Sequence, residues 1–496
     1  MREGTRLGVD AYGVSGFTRS CESAGSLPRH SFCSLLRRNF LGRRFFKEAS
    51  FSIFVFVLSF LKRCLFTCAV TAFISVAAFA GVDSSIGCPE GTVISSIQFE
   101  GLEHTKPRVV ERELLNKAGE PFSAEKFDLE KRRLQDLALF TEVSLDCNGG
   151  NLTYSFVEIF RWIPAPAGKT TERDGLMIGL ALANLNVLGE DIRAEVQYRT
   201  SSERFLDNNE YAFYASSPYL FGLPLGWNFE FLRTDSYDDI RDYQDDSWLI
   251  DLDLDYQLLP HLSILGTVAY RELEKAVFTF DEDSAELWEY GLGFAFDFRD
   301  TKIDTRKGVY YEYMLTHVKQ LDRIAICGGR CYTEGEDYWE LLTDARAYYP
   351  VGPFVTGATA LVRYRPGEVY RFDYFSHGGV NSYRGRYGDS KRLGVHEALL
   401  NLEERFILLD RQPASILGVN FFYGVQLVAG LDGSLLWSSG RPGWDDYEAA
   451  VYGGIHLVVP AVDRLRFEVG YSPDRGEPKF FFGMIEKVST SRWRGR

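Results

Sequence analysis

Beyond residue 80 the sequence has no apolar run approaching 18 residues, no G-x-S-x-G, no H-E-x-x-H and no P-loop. The first absence excludes a helical membrane protein, because a helix needs about 20 apolar residues to cross a bilayer. The others remove the common hydrolase, metalloprotease and nucleotide signatures, so no enzyme activity and no cofactor are expected. Histidine is scarce, at seven residues, and His377 and His396 have no evident partners in the sequence. Positive charge is also short. There are 55 Lys+Arg against 69 Asp+Glu, a net charge of −14, which argues against a nucleic-acid partner.

What is present divides the chain unevenly. Lys62 and Arg63 precede CLFTCAVTAFISVAAFA, a short apolar run ending Ala78-Phe79-Ala80, the pattern of a secretory signal with its cleavage site. Residues 61–80 are therefore expected to be a signal peptide, and the basic stretch before them an over-extended start. Residues 1–80 hold 11 Lys+Arg and 4 Asp+Glu, leaving 44 basic and 65 acidic residues, net −21, in the remainder. Four cysteines stay in that remainder. In an oxidising compartment the simple reading is two disulfides, Cys327 with Cys331 in CGGRC and Cys88 with Cys147. CGGRC could instead hold a metal, though it lacks neighbouring His or Cys, and the sequence leaves the Cys88–Cys147 pairing open.

Residues 92–159 read as a small α+β domain in the order strand, helix, helix, strand, strand. TVISSIQFEG alternates. HTKPRVVERELLNKAG offers Thr105 as cap and Pro107 in the first turn, with Val110 and Leu114 at helical spacing. SAEKFDLEKRRLQDLALF has Ser123 as cap and a Phe127, Leu134, Leu137 stripe. EVSLDC and LTYSFVEI flank the turn Asn148-Gly149-Gly150.

From about residue 160 helical periodicity gives way to alternating segments of roughly ten residues, the signature of an all-β transmembrane barrel. WLIDLDLDYQ places Trp248, Ile250, Leu252, Leu254 and Tyr256 on one face and Asp251, Asp253 and Asp255 on the other. GLGFAFDFR and LRFEVGY repeat the pattern, the latter with Arg466 and Glu468 on the polar phase. Sixteen segments are expected, starting near 159, 175, 190, 209, 225, 246, 261, 286, 307, 338, 353, 396, 417, 447, 463 and 478. An even number of antiparallel strands lets the last meet the first, so that no edge faces lipid. The first segment contains Pro164 and Pro166, which cannot donate ladder hydrogen bonds, so the closing seam is expected to be weak.

Several stretches together resemble the BamA/TamA outer-membrane assembly superfamily of bacterial surface antigen type, in which POTRA domains precede a 16-stranded barrel. They are the small α+β domain, SPYLFG (217–222), RDTKIDTRKG (299–308), GGVNSYRGRY and the final hairpin DRLRFEVGYSPDRGEPKFFFGM. Three departures stand out: Arg386 intervenes before Tyr387 after the Arg-Gly step, Glu404 replaces an apolar residue, and the chain ends STSRWRGR instead of in an aromatic.

The resemblance implies that the loop at 366–395 folds into the lumen and carries its motif, Gly378, Gly379, Ser382, Arg384, Gly385 and Tyr387, against the inner wall. Glu403 and Asp432 fall on the polar phase of the two following strands and are the expected partners of Arg384. It further implies a factor that assembles, inserts or translocates polypeptides. Its partners would be unfolded outer-membrane or secreted chains, the lipid bilayer and accessory periplasmic proteins. Its place would be the outer membrane, with the POTRA-like domain in the periplasm. The alternative is a dedicated secretion pore or porin-like channel.

Overall fold

The computed structural model describes residues 88–485, apart from 203–206, 239, 242, 275–283, 303, 327–328, 335–336, 368, 388–391, 417 and 461. The signal peptide, the residues before it and the C-terminal STSRWRGR lie outside the described residues.

The N-terminal domain is built from β1 (Ser96–Glu100), α1 (Pro107–Glu111), α2 (Ala124–Asp136), β2 (Phe140–Asn148) and β3 (Asn151–Glu158). Its sheet runs β1-β3-β2, with β1 parallel to the central strand. Gly149 and Gly150 both take positive φ, which is what a two-residue turn between antiparallel strands requires. A side chain on Gly150 would meet the Val93 carbonyl at 2.5 Å. Cys88 and Cys147 are disulfide-bonded, joining the start of the domain to β2.

Two helix expectations are corrected. The first helix has five residues, so Leu114 is buried beyond its end, and it starts after Lys106 with no side-chain cap. Thr105 is used differently: its hydroxyl accepts from Asn186 Nδ2 at 2.8 Å and its N–H donates to Glu158 Oε1 at 2.8 Å. Ser123 does sit at the N-cap position of α2 without a side-chain bond, and Glu90 accepts the Ala124 N–H instead. In the core, the fully buried Glu130 accepts from the Leu115 and Asn116 N–H groups, from Asn116 Nδ2 and from Tyr154 Oη. Burial, with this carboxylate beside it, pushes the Tyr154 phenol up.

The rest of the described chain is a closed antiparallel barrel. Its strands are β4 (Trp162–Thr171), β5 (Gly175–Val187), β6 (Ile192–Ser201), β7 (Asn209–Ser217), β8 (Leu225–Asp238), β9 (Tyr243–Leu259), β10 (Leu262–Glu274) and β11 (Ser284–Asp297). They continue as β12 (Gly308–Ile326), β13 (Gly329–Glu334), β14 (Tyr338–Val351) and β15 (Phe354–Tyr364). Two short strands, β16 (Phe375–Ser376) and β17 (Leu393–Gly394), form a separate pair. The barrel then resumes with β18 (His396–Ile416), β19 (Val419–Trp437), β20 (Tyr447–Val459), β21 (Val462–Tyr471) and β22 (Pro478–Ile485). Because β13 and β14 both pair with β12 and make one span, the described barrel has sixteen spans. With the β13–β14 span counted from β14, since its β13 part already starts at Gly329, each begins within three residues of the position expected from alternation.

The two faces separate as expected. On β9, Asp251 and Asp253 are 1% and 2% exposed inside the barrel, while Leu252 and Tyr256 are open on the outside. The domain and barrel also share one apolar cluster: Phe422, Val458, Ala183 and Leu185 of the barrel pack with the domain core.

Closure is uneven around the barrel. β10 and β11 pair through thirteen residues each, whereas β22 and β4 share a single ladder pair, Gly483 with Lys169. One further bond crosses the seam, from the Phe482 N–H to Thr170 Oγ1 at 2.9 Å. Pro164 and Pro166 lie on β4 opposite Leu182 and Leu180 of β5, on the stretch of β4 that has no ladder pair to β22.

Candidate functional site: the lumenal loop at the seam

The loop between β15 and β18 folds inward. Val380, Tyr383, Arg384 and Arg386 are 1%, 0%, 3% and 4% exposed. Its chain reverses tightly around Ser382, whose hydroxyl donates to the Gly378 carbonyl at 2.6 Å and accepts the Gly378 N–H at 3.0 Å. Gly379 has φ +89, and a side chain there would stand 2.3 Å from the Thr170 carbonyl of β4. On Gly378 a side chain would meet the Arg386 carbonyl at 2.7 Å, and on Gly385 it would strike the Tyr383 ring. Gly379 is required because backbone, not side chain, touches the wall there, while Gly378 and Gly385 let the loop pack closely on itself.

Arg384 is held from three sides. Its N–H and Nε donate to Asp432 Oδ2 at 2.9 and 2.8 Å, and Nη2 donates to Asp432 Oδ1 at 2.7 Å. Nη1 donates to both oxygens of Glu468 at 3.1 and 3.2 Å. The guanidinium also stacks on Tyr452, 3.3 Å from the ring centre. Such forked bonds to carboxylates offset the lost hydration of a buried guanidinium.

The expected contact with Glu403 is corrected. Asn401 is the β18 residue opposite Asp432, and Glu403 lies two residues further along. Glu403 accepts instead from Tyr452 Oη at 3.1 Å and pairs with Arg405 and Arg464 at 3.4 and 3.6 Å. Tyr452 and Asn401, whose amide bonds both Tyr452 Oη and Asp432, connect it to the Arg384 cluster. The second direct partner, Glu468, was visible in LRFEVGY as a polar-phase residue, but strand phase gives a face and not a height.

Two loop residues that lacked a role acquire partners. Arg386, the cation where an aromatic was expected, pairs with Glu448 of β20 at 3.0 Å. His377 lies between Ser434 Oγ and Glu397 Oε2, at 2.5 and 2.6 Å. All three are sealed, at 2%, 2% and 1% exposure, so they hold the loop root and are closed to substrate. His396 stacks on Tyr364 and accepts the Arg365 N–H at 3.1 Å. Tyr387 meets Phe481 of β22 edge-on, with ring centres 5.8 Å apart.

The loop therefore lies across the seam. On the β4 side Gly379 bridges Thr171 and the Val380 N–H donates to the Thr170 carbonyl at 3.2 Å. On the β22 side Val380 fills the space over Gly483, where a side chain would stand 2.2 Å away. Beside the loop a lumenal cavity of about 390 Å³ is lined by ion pairs, among them Lys169 with Glu210.

No metal was expected. Among the described residues, one group of ligand-type atoms, on Glu403, His456 and Glu468, lies within 4.8 Å. Arg384, Arg405 and Arg464 already engage these carboxylates, and a cation there would face three guanidinium groups. The expected Cys327–Cys331 disulfide cannot be placed among the described residues, because Cys327 lies outside them.

Residues 92–158 match the POTRA family, described as surface antigen variable number repeat. No curated protein matches this chain by sequence. Among solved structures it is similar to BamA from Haemophilus ducreyi lacking POTRA domains 1–3, at 15% identity and a TM-score of 0.47, covering 78% of this chain and 83% of that one. It is also similar to CdiB from Escherichia coli, at 14% identity and a TM-score of 0.46, covering 83% and 92%. For CdiB from Acinetobacter baumannii the values are 13% and 0.47, covering 79% and 73%. The chain is an outer-membrane type β-barrel preceded by one POTRA domain. That is the architecture which the resemblance to the BamA/TamA superfamily called for.

Proposed function

We propose that this protein assembles, inserts or translocates polypeptides at the outer membrane, with the POTRA domain in the periplasm. A client strand would be captured at a free edge of the POTRA sheet, where β1 and β2 flank the central β3, through main-chain hydrogen bonds that tolerate many sequences. It would then pass to the seam between β4 and β22. The observation that carries this reading is the single ladder pair at that seam, Gly483 with Lys169, in a barrel whose other strand pairs are long. Opening a junction of one pair exposes few unpaired backbone groups, so lateral parting costs little there and much elsewhere.

The competing reading, a pore, needs an open lumen, whereas the loop is packed tightly against the wall. Depleting the protein in its native host and measuring newly assembled outer-membrane barrels separates the two. Loss of newly assembled barrels is expected. Unchanged barrels together with loss of one secreted protein would replace this reading with the dedicated pore.

A further inference from the structure

The turn between β7 and β8 carries an apolar side chain where backbone geometry disfavours one. Leu220 and Leu223 exchange N–H to carbonyl bonds at 3.3 and 3.0 Å around the two-residue turn Phe221-Gly222. Both turn residues have positive φ, +53 and +81. This geometry favours Asn, Asp or Gly in the first position, and a bulky aromatic there is a strained exception. Phe221 recovers nothing by packing, since it is 95% exposed. The neighbouring turn repeats the device: Leu188 has φ +58 ahead of Gly189 at +72 and is 75% exposed.

Two further observations indicate what covers these side chains. The POTRA domain reaches this end of the barrel, with Arg112 stacked 3.9 Å over Tyr219, yet it leaves Phe221 bare. Leu223, 55% exposed, continues the outward phase of β8 through Leu225 and Trp227, while Glu230 on the opposite phase is 6% exposed. Leu225 pairs with Tyr256 of β9, itself open on the outer face. The bare turn is thus continuous with the lipid-facing surface.

We propose that Phe221, supported by Leu188, is a membrane anchor that inserts into the interfacial region of the leaflet on the POTRA side. An aromatic at that level is stabilised by transfer out of water, which offsets the unfavourable backbone conformation. The anchor fixes the depth and tilt of the barrel wall at β5 to β8, across the barrel from the β18–β19 hairpin. It stands apart from the proposed function.

The test uses the full chain in phosphatidylcholine vesicles with brominated acyl chains. Phe221→Trp should add emission that is blue-shifted relative to indole in water and quenched at least twofold by the brominated lipid. Water-like, unquenched added emission would overturn the proposal. Phe221→Asn suits the left-handed conformation, so its barrel should form and show heat-dependent gel mobility, yet insert into vesicles several-fold more slowly. Unchanged insertion would also count against the anchor. A photoreactive phenylalanine analogue at 221 in native membranes should label lipid. A discrete protein adduct would replace lipid with a docked partner as the occupant.

Discussion

The carbonyl oxygen of Arg384 lies where a side chain on Gly470 would begin: a Cβ on that glycine would stand 1.8 Å from it. The loop and β21 therefore meet backbone to backbone, and the same β21 segment supplies Glu468 to the guanidinium. Gly470→Ala is expected to displace the loop although it removes no polar group. Gly266→Ala, with open space around its Cβ, is the matched control and should be neutral. Protease sensitivity of residues 378–387 in the folded barrel reads the difference.

Arg384→Ala removes the cation shared by Asp432 and Glu468, leaving them with Asn401 and His456 respectively. Removing one partner of a buried charge pair costs about 3–5 kcal/mol, and the loss should appear as a lower unfolding temperature in detergent. Arg384→Lys should rescue little of it, because an ammonium cannot make the forked contacts to both carboxylates. Adding Asp432→Asn to Arg384→Ala should recover part of the stability, since it removes one uncompensated charge.

The POTRA domain is fastened to the β5–β6 turn partly through Glu190, which pairs with Arg108 and Lys106. The Arg108 hydrogen bond holds the Glu190 carboxyl below its ordinary value, against a smaller opposing effect of burial. A depressed carboxyl stabilises the folded state above its unfolded pKa, about 4.3, and the contribution fades as pH falls through the folded value. The difference in thermal unfolding between wild type and Glu190→Gln should thus be present at neutral pH and vanish in acid. A difference that grew on acidification would contradict the assignment.

Reducing the Cys88–Cys147 bond releases a loop spanning 59 positions. Native disulfides of this kind stabilise by about 2–4 kcal/mol. Cys147→Ser should accordingly lower the midpoint of POTRA unfolding and leave the barrel's heat-dependent gel mobility unchanged.

The barrel strands were readable in sequence because period-two alternation is imposed by lipid on one side and water on the other, residue by residue. That is why β8, β14, β18 and β20 begin where alternation placed them. The partner of Arg384 was only half readable. Asp432 and Glu403 share the inward phase, but strand stagger sets their heights, and stagger brought Glu468 of β21 to the guanidinium while Glu403 went to Tyr452. The short first helix escaped for a different reason: Leu114 is buried at helical spacing, yet Glu130 captures the Leu115 and Asn116 amides and ends the helix early.

The central claim is that the junction of β4 and β22 opens during function. Continuing the Lys169–Gly483 register sets Thr170 opposite Phe482, whose N–H reaches Thr170 Oγ1 at 2.9 Å, so Thr170→Cys with Phe482→Cys places two thiols face to face across the seam. Assembly of new outer-membrane barrels should stop when this pair is oxidised in the native host and resume on reduction. Equal assembly in the oxidised and reduced states would contradict the account.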